Sequence, residues 1–149
     1  MNPMDSLLNL LPDSKRAGVF RTAIDSDELV TAARTAGLQV FTIDLAKARG
    51  KSGLFDAFSK PLKFPQHFGK NWDALNDCLT DLAWLDGTGW VLILTNCKPF
   101  VVKYQADFDL ALELLEGVSA SWQEDGKPFW LFIPDQPGWS ADLPEIALG

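Results

Sequence analysis

Residues 64–82 read FPQHFGKNWDALNDCLTDL, and this stretch decides how the rest of the chain is understood. Asp73, Asp77 and Asp81 recur every four residues, which stacks them on one helix face, while Trp72, Leu75, Leu79 and Leu82 take another. The pattern predicts a helix that buries an apolar side and leaves an acidic stripe in water. Such a stripe opposes local stability: like charges four apart cost about 0.2–0.5 kcal/mol per pair. Aspartate is also a poor helix former, and the helix dipole favours acids only in the first turn. Asp73 stands in that turn, but Asp77 and Asp81 do not. Gly69 and Asn71 suit a turn followed by an N-cap, so the helix is expected to begin at Trp72.

On either side, strands and helices alternate. GVFRTAI (18–24) reads as a strand, Asp25 and Ser26 as caps of a helix over 27–36 that stops at Gly37, and LQVFTIDL (38–45) as a second strand. Leu54, Phe55, Phe58 and Leu62 fall at helical spacing, with Pro61 expected to end or bend that helix. WVLILTN (90–96) is a nearly continuous apolar run of the kind found in a strand covered on both faces. A long helix from about Tyr104 to Gln123, interrupted near Gly117, and a last strand, PFWLFIP (128–134), follow. Residues 4–11 could form a short docking helix or a frayed end, and the tail beyond 134 offers no clear element. The βαβ order predicts an α/β fold with a small, mostly parallel sheet of three to four strands packed with helices. Trp84, Trp90, Trp122 and Trp130 are expected in or near the core.

With 149 residues, 47% of them hydrophobic, six Trp and ten Phe, one well-buried domain over 1–149 is expected, with its core at about 38–134 and residues 1–37 as an extension. No apolar run reaches the length of a membrane span. The opening MNPMDSLLNLLPDSKR lacks a signal peptide's basic start and long apolar stretch, so a cytoplasmic location is expected. The net charge of −7 is unevenly placed. Residues 1–70 carry ten bases against seven acids, and residues 71–149 three bases against thirteen acids, so the halves are +3 and −10. A concentrated negative field disfavours nucleic acid and anionic membrane and steers a cationic protein inward, although a merely solubilising acidic surface would look the same by count.

Catalytic motifs are sparse. His67 is the one histidine, neither Cys78 nor Cys97 sits in a nucleophile signature, and Cys78 adjoins the apolar face as a small hydrophobe would. A metal site, a cofactor and a phosphate loop all lack their sequence signals. Paired carboxylates could support acid/base work or hold magnesium, yet nothing in the sequence supplies a second element to close such a site. A stripe of acids on one helix is more often a solvated or binding surface.

Pro65, Phe68, Gly69, Asn71, Trp72, Asp73, Ala74, Leu75, Asp77, Cys78, Leu79 and Thr80 together resemble the signature of the barstar family of intracellular ribonuclease inhibitors. The resemblance continues as an order of elements over about 38–134. It implies a non-enzymatic protein that plugs the active site of a basic extracellular or toxin-type ribonuclease, in an immunity or antitoxin role, as a monomer binding 1:1. It also implies that the carboxylate at the position of Asp77 enters the enzyme's phosphate site and that Asp73 meets neighbouring basic residues. His67, Phe68, Gly69 and Asn71 would pack on the enzyme's catalytic groups, and Thr80 would lie at the edge.

The chain departs from the family prototype at several positions: His67 replaces a tyrosine and Asn76 a tryptophan. Asp81 is an added charge where the family has a small neutral residue. Glu124 and Asp125 are candidates for the family's acidic contacts at the end of the long helix. The candidate binding residues are therefore His67, Phe68, Gly69, Asn71, Asp73, Asn76, Asp77, Thr80 and Asp81. The alternative is a barstar-like module for a basic partner that is not a ribonuclease; a small enzyme built on His67 and a carboxylate ranks below both.

Overall fold

A computed structural model describes residues 2–148. It contains helix α1 (Pro3–Leu10), strand β1 (Val19–Thr22), α2 (Ser26–Thr35), β2 (Gln39–Asp44), α3 (Gly50–Leu62) and α4 (Trp72–Asp81). A 3₁₀ turn (Ala83–Leu85), β3 (Trp90–Thr95), α5 (Cys97–Glu124) and β4 (Phe129–Pro134) complete it. The four strands form one all-parallel sheet in the order β1-β4-β3-β2, so the α/β expectation holds.

Side-chain alternation along the strands divides the interior in two. Val91, Ile93, Trp130 and Phe132 point to the layer made by α1 and α2. Trp90, Leu92, Leu94, Phe129, Leu131 and Ile133 point to the layer made by α3, α4 and α5. Strands covered on both faces must be apolar throughout, which is why β3 and β4 read as unbroken hydrophobic runs. All four tryptophans expected inside are buried or half-buried, and Trp90 and Trp122 lie with ring centroids 4.5 Å apart.

Several boundaries differ from the expectation. α1 is no frayed end: Asn2 caps it by accepting from the Asp5 amide, and Leu7 and Leu10 are buried. α3 runs through Pro61 and ends one residue later, where Lys63 adopts a left-handed conformation. Proline there costs little, because the helix scarcely continues past it. α5 is kinked: the part beyond the kink begins at about the expected Tyr104, and an unexpected first part, 97–103, precedes it, since Pro99 fits its first turn, where its missing N–H goes unused. Its one non-helical residue is Tyr104 (φ −131°, ψ 47°), whereas Gly117 stays helical. The tail is also more than a loop. The Arg21 amide donates to the Pro144 carbonyl, and the Ile146 amide donates to the Arg21 carbonyl, which lays residues 144–146 along the free edge of β1.

Candidate functional site

The acidic helix is seated by its apolar side. Leu75 and Leu79 are fully buried, and the Trp122 indole N–H donates to the Leu79 carbonyl at 2.8 Å, tying α4 to the end of α5. Trp72 is half-buried with its ring edge-on to Phe55 at 5.0 Å. Below the preceding loop, Phe64 and Phe68 meet edge to face at 5.0 Å, and Phe68 also approaches Phe55 at 6.3 Å. Phe68 thus anchors the loop on the core with part of its ring still exposed. Aromatic contacts of this kind contribute about 0.5–1.5 kcal/mol each beyond their buried area.

The helix start matches expectation. Asn71 is extended (φ −142°, ψ 171°) and its side-chain oxygen accepts from the Ala74 amide at 2.8 Å. The left-handed turn residue is Lys70 (φ 49°), not Gly69. A Cβ at Gly69 would come 3.2 Å from the Asn71 side-chain Nδ2, which donates to the Gly69 carbonyl, so a larger residue there would press on the capping side chain. Lys70 points away from the stripe and pairs with Asp56 of α3 at 3.1 Å. That pairing was not legible from spacing, because the two residues lie fourteen apart across a turn.

Asp73, Asn76, Asp77 and Asp81 are all exposed along α4, with His67, Gly69 and Asn71 exposed beside its first turn. Among the described residues none of the three aspartates has a hydrogen-bonded or ion-paired side chain. Thr80 is half-buried and its hydroxyl donates to the Asn76 carbonyl one turn back on the helix at 2.8 Å. Cys78 sits between Asp77 and Asp81 at the margin of the core. Burial first, and then the charges of Asp77 and Asp81, raise its thiol above the ordinary value. Cys97 is fully buried, and burial, with Asp44 second, pushes it up to about 12. Neither thiol is poised as a nucleophile, and among the described residues no carboxylate is hydrogen-bonded to His67 to orient it. No group of three or more His, Cys, Asp or Glu among the described residues could hold a metal ion. No helix among them is long and apolar enough to cross a membrane.

What these elements can do is offer several unneutralised carboxylates from a rigid support, next to a short loop fixed by aromatic packing. Fold and site together define a small parallel α/β protein with an acidic presentation helix. The family model described as Barstar (barnase inhibitor) matches residues 38–134, and the chain belongs to the barstar family. Among solved structures it is similar to the ORC2 protein of Aeropyrum pernix. The ADP form matches with TM-score 0.60 and 15% identity over 89% of this chain and 39% of that one. The ADPNP-ADP complexes match with TM-score 0.56 and 12% identity over 88% and 40%. The chain spans about two fifths of those proteins, and at such identity the likeness is one of fold. No curated protein matches the chain.

Proposed function

We propose that this protein inhibits a cationic ribonuclease by occluding its active site with α4 and the loop before it. The observation that carries the reading is the stripe itself: Asp73, Asp77 and Asp81, exposed on one helix and without a counter-charge among the described residues. A carboxylate on a firmly packed helix replaces a substrate phosphate among arginines through charge-assisted, often bidentate, hydrogen bonds. Asp77, central in the stripe, takes that role; Asp73 and Asp81 flank it, and His67, Gly69, Asn71, Asn76 and Thr80 form the rim. The chain performs no chemistry, needs no cofactor and acts in the cytoplasm as a 1:1 immunity-type partner.

The test is to titrate purified basic ribonucleases with the protein and follow RNA cleavage. Stoichiometric loss of activity for at least one enzyme is expected, and competition by RNA should be mutual. A basic partner captured from the source cells that lacks nuclease activity would instead assign α4 to a non-ribonuclease target.

A further inference from the structure

β2 is an edge strand with β3 as its one neighbour. The amides of Gln39 and Leu45 donate to Gly89 and Thr95 on the β3 side. Backbone groups alternate in direction along a strand, so the N–H and C=O groups of Val40, Thr42 and Asp44 face outward, away from any strand. Six buried or paired backbone groups would need no comment; six aimed at open space form a template for another strand.

That edge lies in a groove. Two cavities of about 370 and 410 Å³ adjoin along its length, both bounded by Pro61 of α3. One runs past Thr42 and Asp44, and the other ends on Phe41, Trp84 and Leu85. Six strand residues give the groove a length of about 20 Å, enough for an extended hexapeptide. Arg34, Lys47, Lys60 and Lys63 line it. Of the two acids in it, Asp56 is neutralised by Lys70, while Asp44, which accepts from Asn96 and from the Ala46 amide, each at 2.8 Å, keeps its charge beside Lys47, leaving four bases against one unpaired carboxylate. In a chain of net charge −7, this groove is cationic.

We infer that the β2–α3 groove binds an extended acidic segment of another protein, which adds to the sheet beside β2. Main-chain bonds to Val40, Thr42 and Asp44 supply the register, as in strand addition between a sheet edge and a helix. Arg34, Lys60 and Lys63 select acidic side chains, and the Phe41, Trp84 and Leu85 end accepts an apolar one. The site is independent of α4 and carries the opposite charge.

The probe is an acetylated, amidated hexapeptide of alternating glutamate and valine, added to the full chain and followed by amide NMR. Saturable shifts and slowed hydrogen exchange at Val40, Thr42 and Asp44 are expected. The double variant Lys60→Glu, Lys63→Glu should weaken binding at least tenfold, and methylating alternate peptide nitrogens should abolish it. Asp77→Ala should bind the peptide unchanged, which separates this site from the proposed inhibitory one. Unmoved β2 amides at millimolar peptide, or equal affinity for a lysine–valine peptide, would overturn the inference. So would a β2-mediated dimer of the chain, detected by sedimentation and lost in Thr42→Pro, because the edge would then belong to a second copy.

Discussion

A single carboxylate separates what the helix needs from what a partner needs. Asp77 has Asp73 and Asp81 four residues away on either side and no compensating cation among the described residues. Replacing it with alanine removes two like-charge pairs and a poor helix former, so unfolding free energy should rise by about 1–1.5 kcal/mol. Affinity for the target ribonuclease should fall by about 2–4 kcal/mol, the range of a buried charged hot spot, which is roughly 30- to 1000-fold in Kd. Urea unfolding and inhibition titrations of the one variant read both signs; equal affinity would remove Asp77 from the site. Asn71 behaves in the opposite way. Its cap on the Ala74 amide makes Asn71→Ala cost about 1 kcal/mol of stability, whereas Asn71→Asp keeps the cap and adds charge to the stripe. An Asn71→Asp variant with unchanged unfolding but altered ribonuclease affinity identifies the contact role that capping alone does not require.

The sequence made α4 legible because its signals agree: cap, apolar face and acidic face share one period. α5 was legible only in part. Its apolar residues gave its middle and end, but Pro99 and Asn96 resemble loop residues, and only their place at a helix N-terminus reveals Asn96 as the residue before it and Pro99 as part of its first turn. Asn96 holds a left-handed conformation (φ 56°) at that start and donates its side-chain amide to Asp44, joining the ends of β2 and β3. No spacing rule links residues fifty-two apart. The bond has a pH consequence: the Asn96 side chain first, and then the Ala46 amide, hold the Asp44 carboxyl below its ordinary value of 3.8. A carboxyl lowered in the folded state stabilises the fold above its unfolded pKa, and that stabilisation is lost as pH falls from 3.8 through the lower folded value. Asn96→Gly relieves the left-handed backbone and removes the donor. Its Asp44 titration, followed by NMR, should move up towards 3.8, and its stability should fall less steeply than the parent's below that pH. An unmoved titration would show that the Ala46 amide and the charge of Lys47 hold Asp44 without Asn96.

Across the whole molecule, charge and burial assign separate work to separate regions. The concentration of acid in residues 71–149 predicts that association with a basic enzyme is fast and slows steeply with salt, while dissociation changes little; stopped-flow rates at several ionic strengths decide it. Burial concerns the segments outside 38–134. Val91, Ile93, Trp130 and Phe132 are all fully buried, and what covers them is α1 and α2 from the N-terminal segment, together with Ile146 of the tail. The two terminal segments are also joined to each other: Arg21 pairs with Asp135 at 3.2 Å and reaches Glu145 at 3.8 Å, and Arg16 donates to the Ala147 carbonyl. The nearly unbroken apolar run of β3 announced that both faces of that strand would be covered, but composition could not say that the tail would help. Exposing four such side chains costs roughly 6–12 kcal/mol at about 1.5–3 each, comparable to the entire 5–15 kcal/mol of an ordinary domain. The segment 38–134 expressed alone should therefore bind a hydrophobic dye and aggregate, although it carries every residue of the acidic site. In the full chain, tryptophan fluorescence and far-ultraviolet dichroism should report one coincident urea transition. Ile146→Ala should move that transition to lower urea, lowering the unfolding free energy by about 2 kcal/mol, without splitting it. A stable, monomeric 38–134 fragment, or two separated transitions, would mean that the terminal layer only decorates a core able to stand by itself.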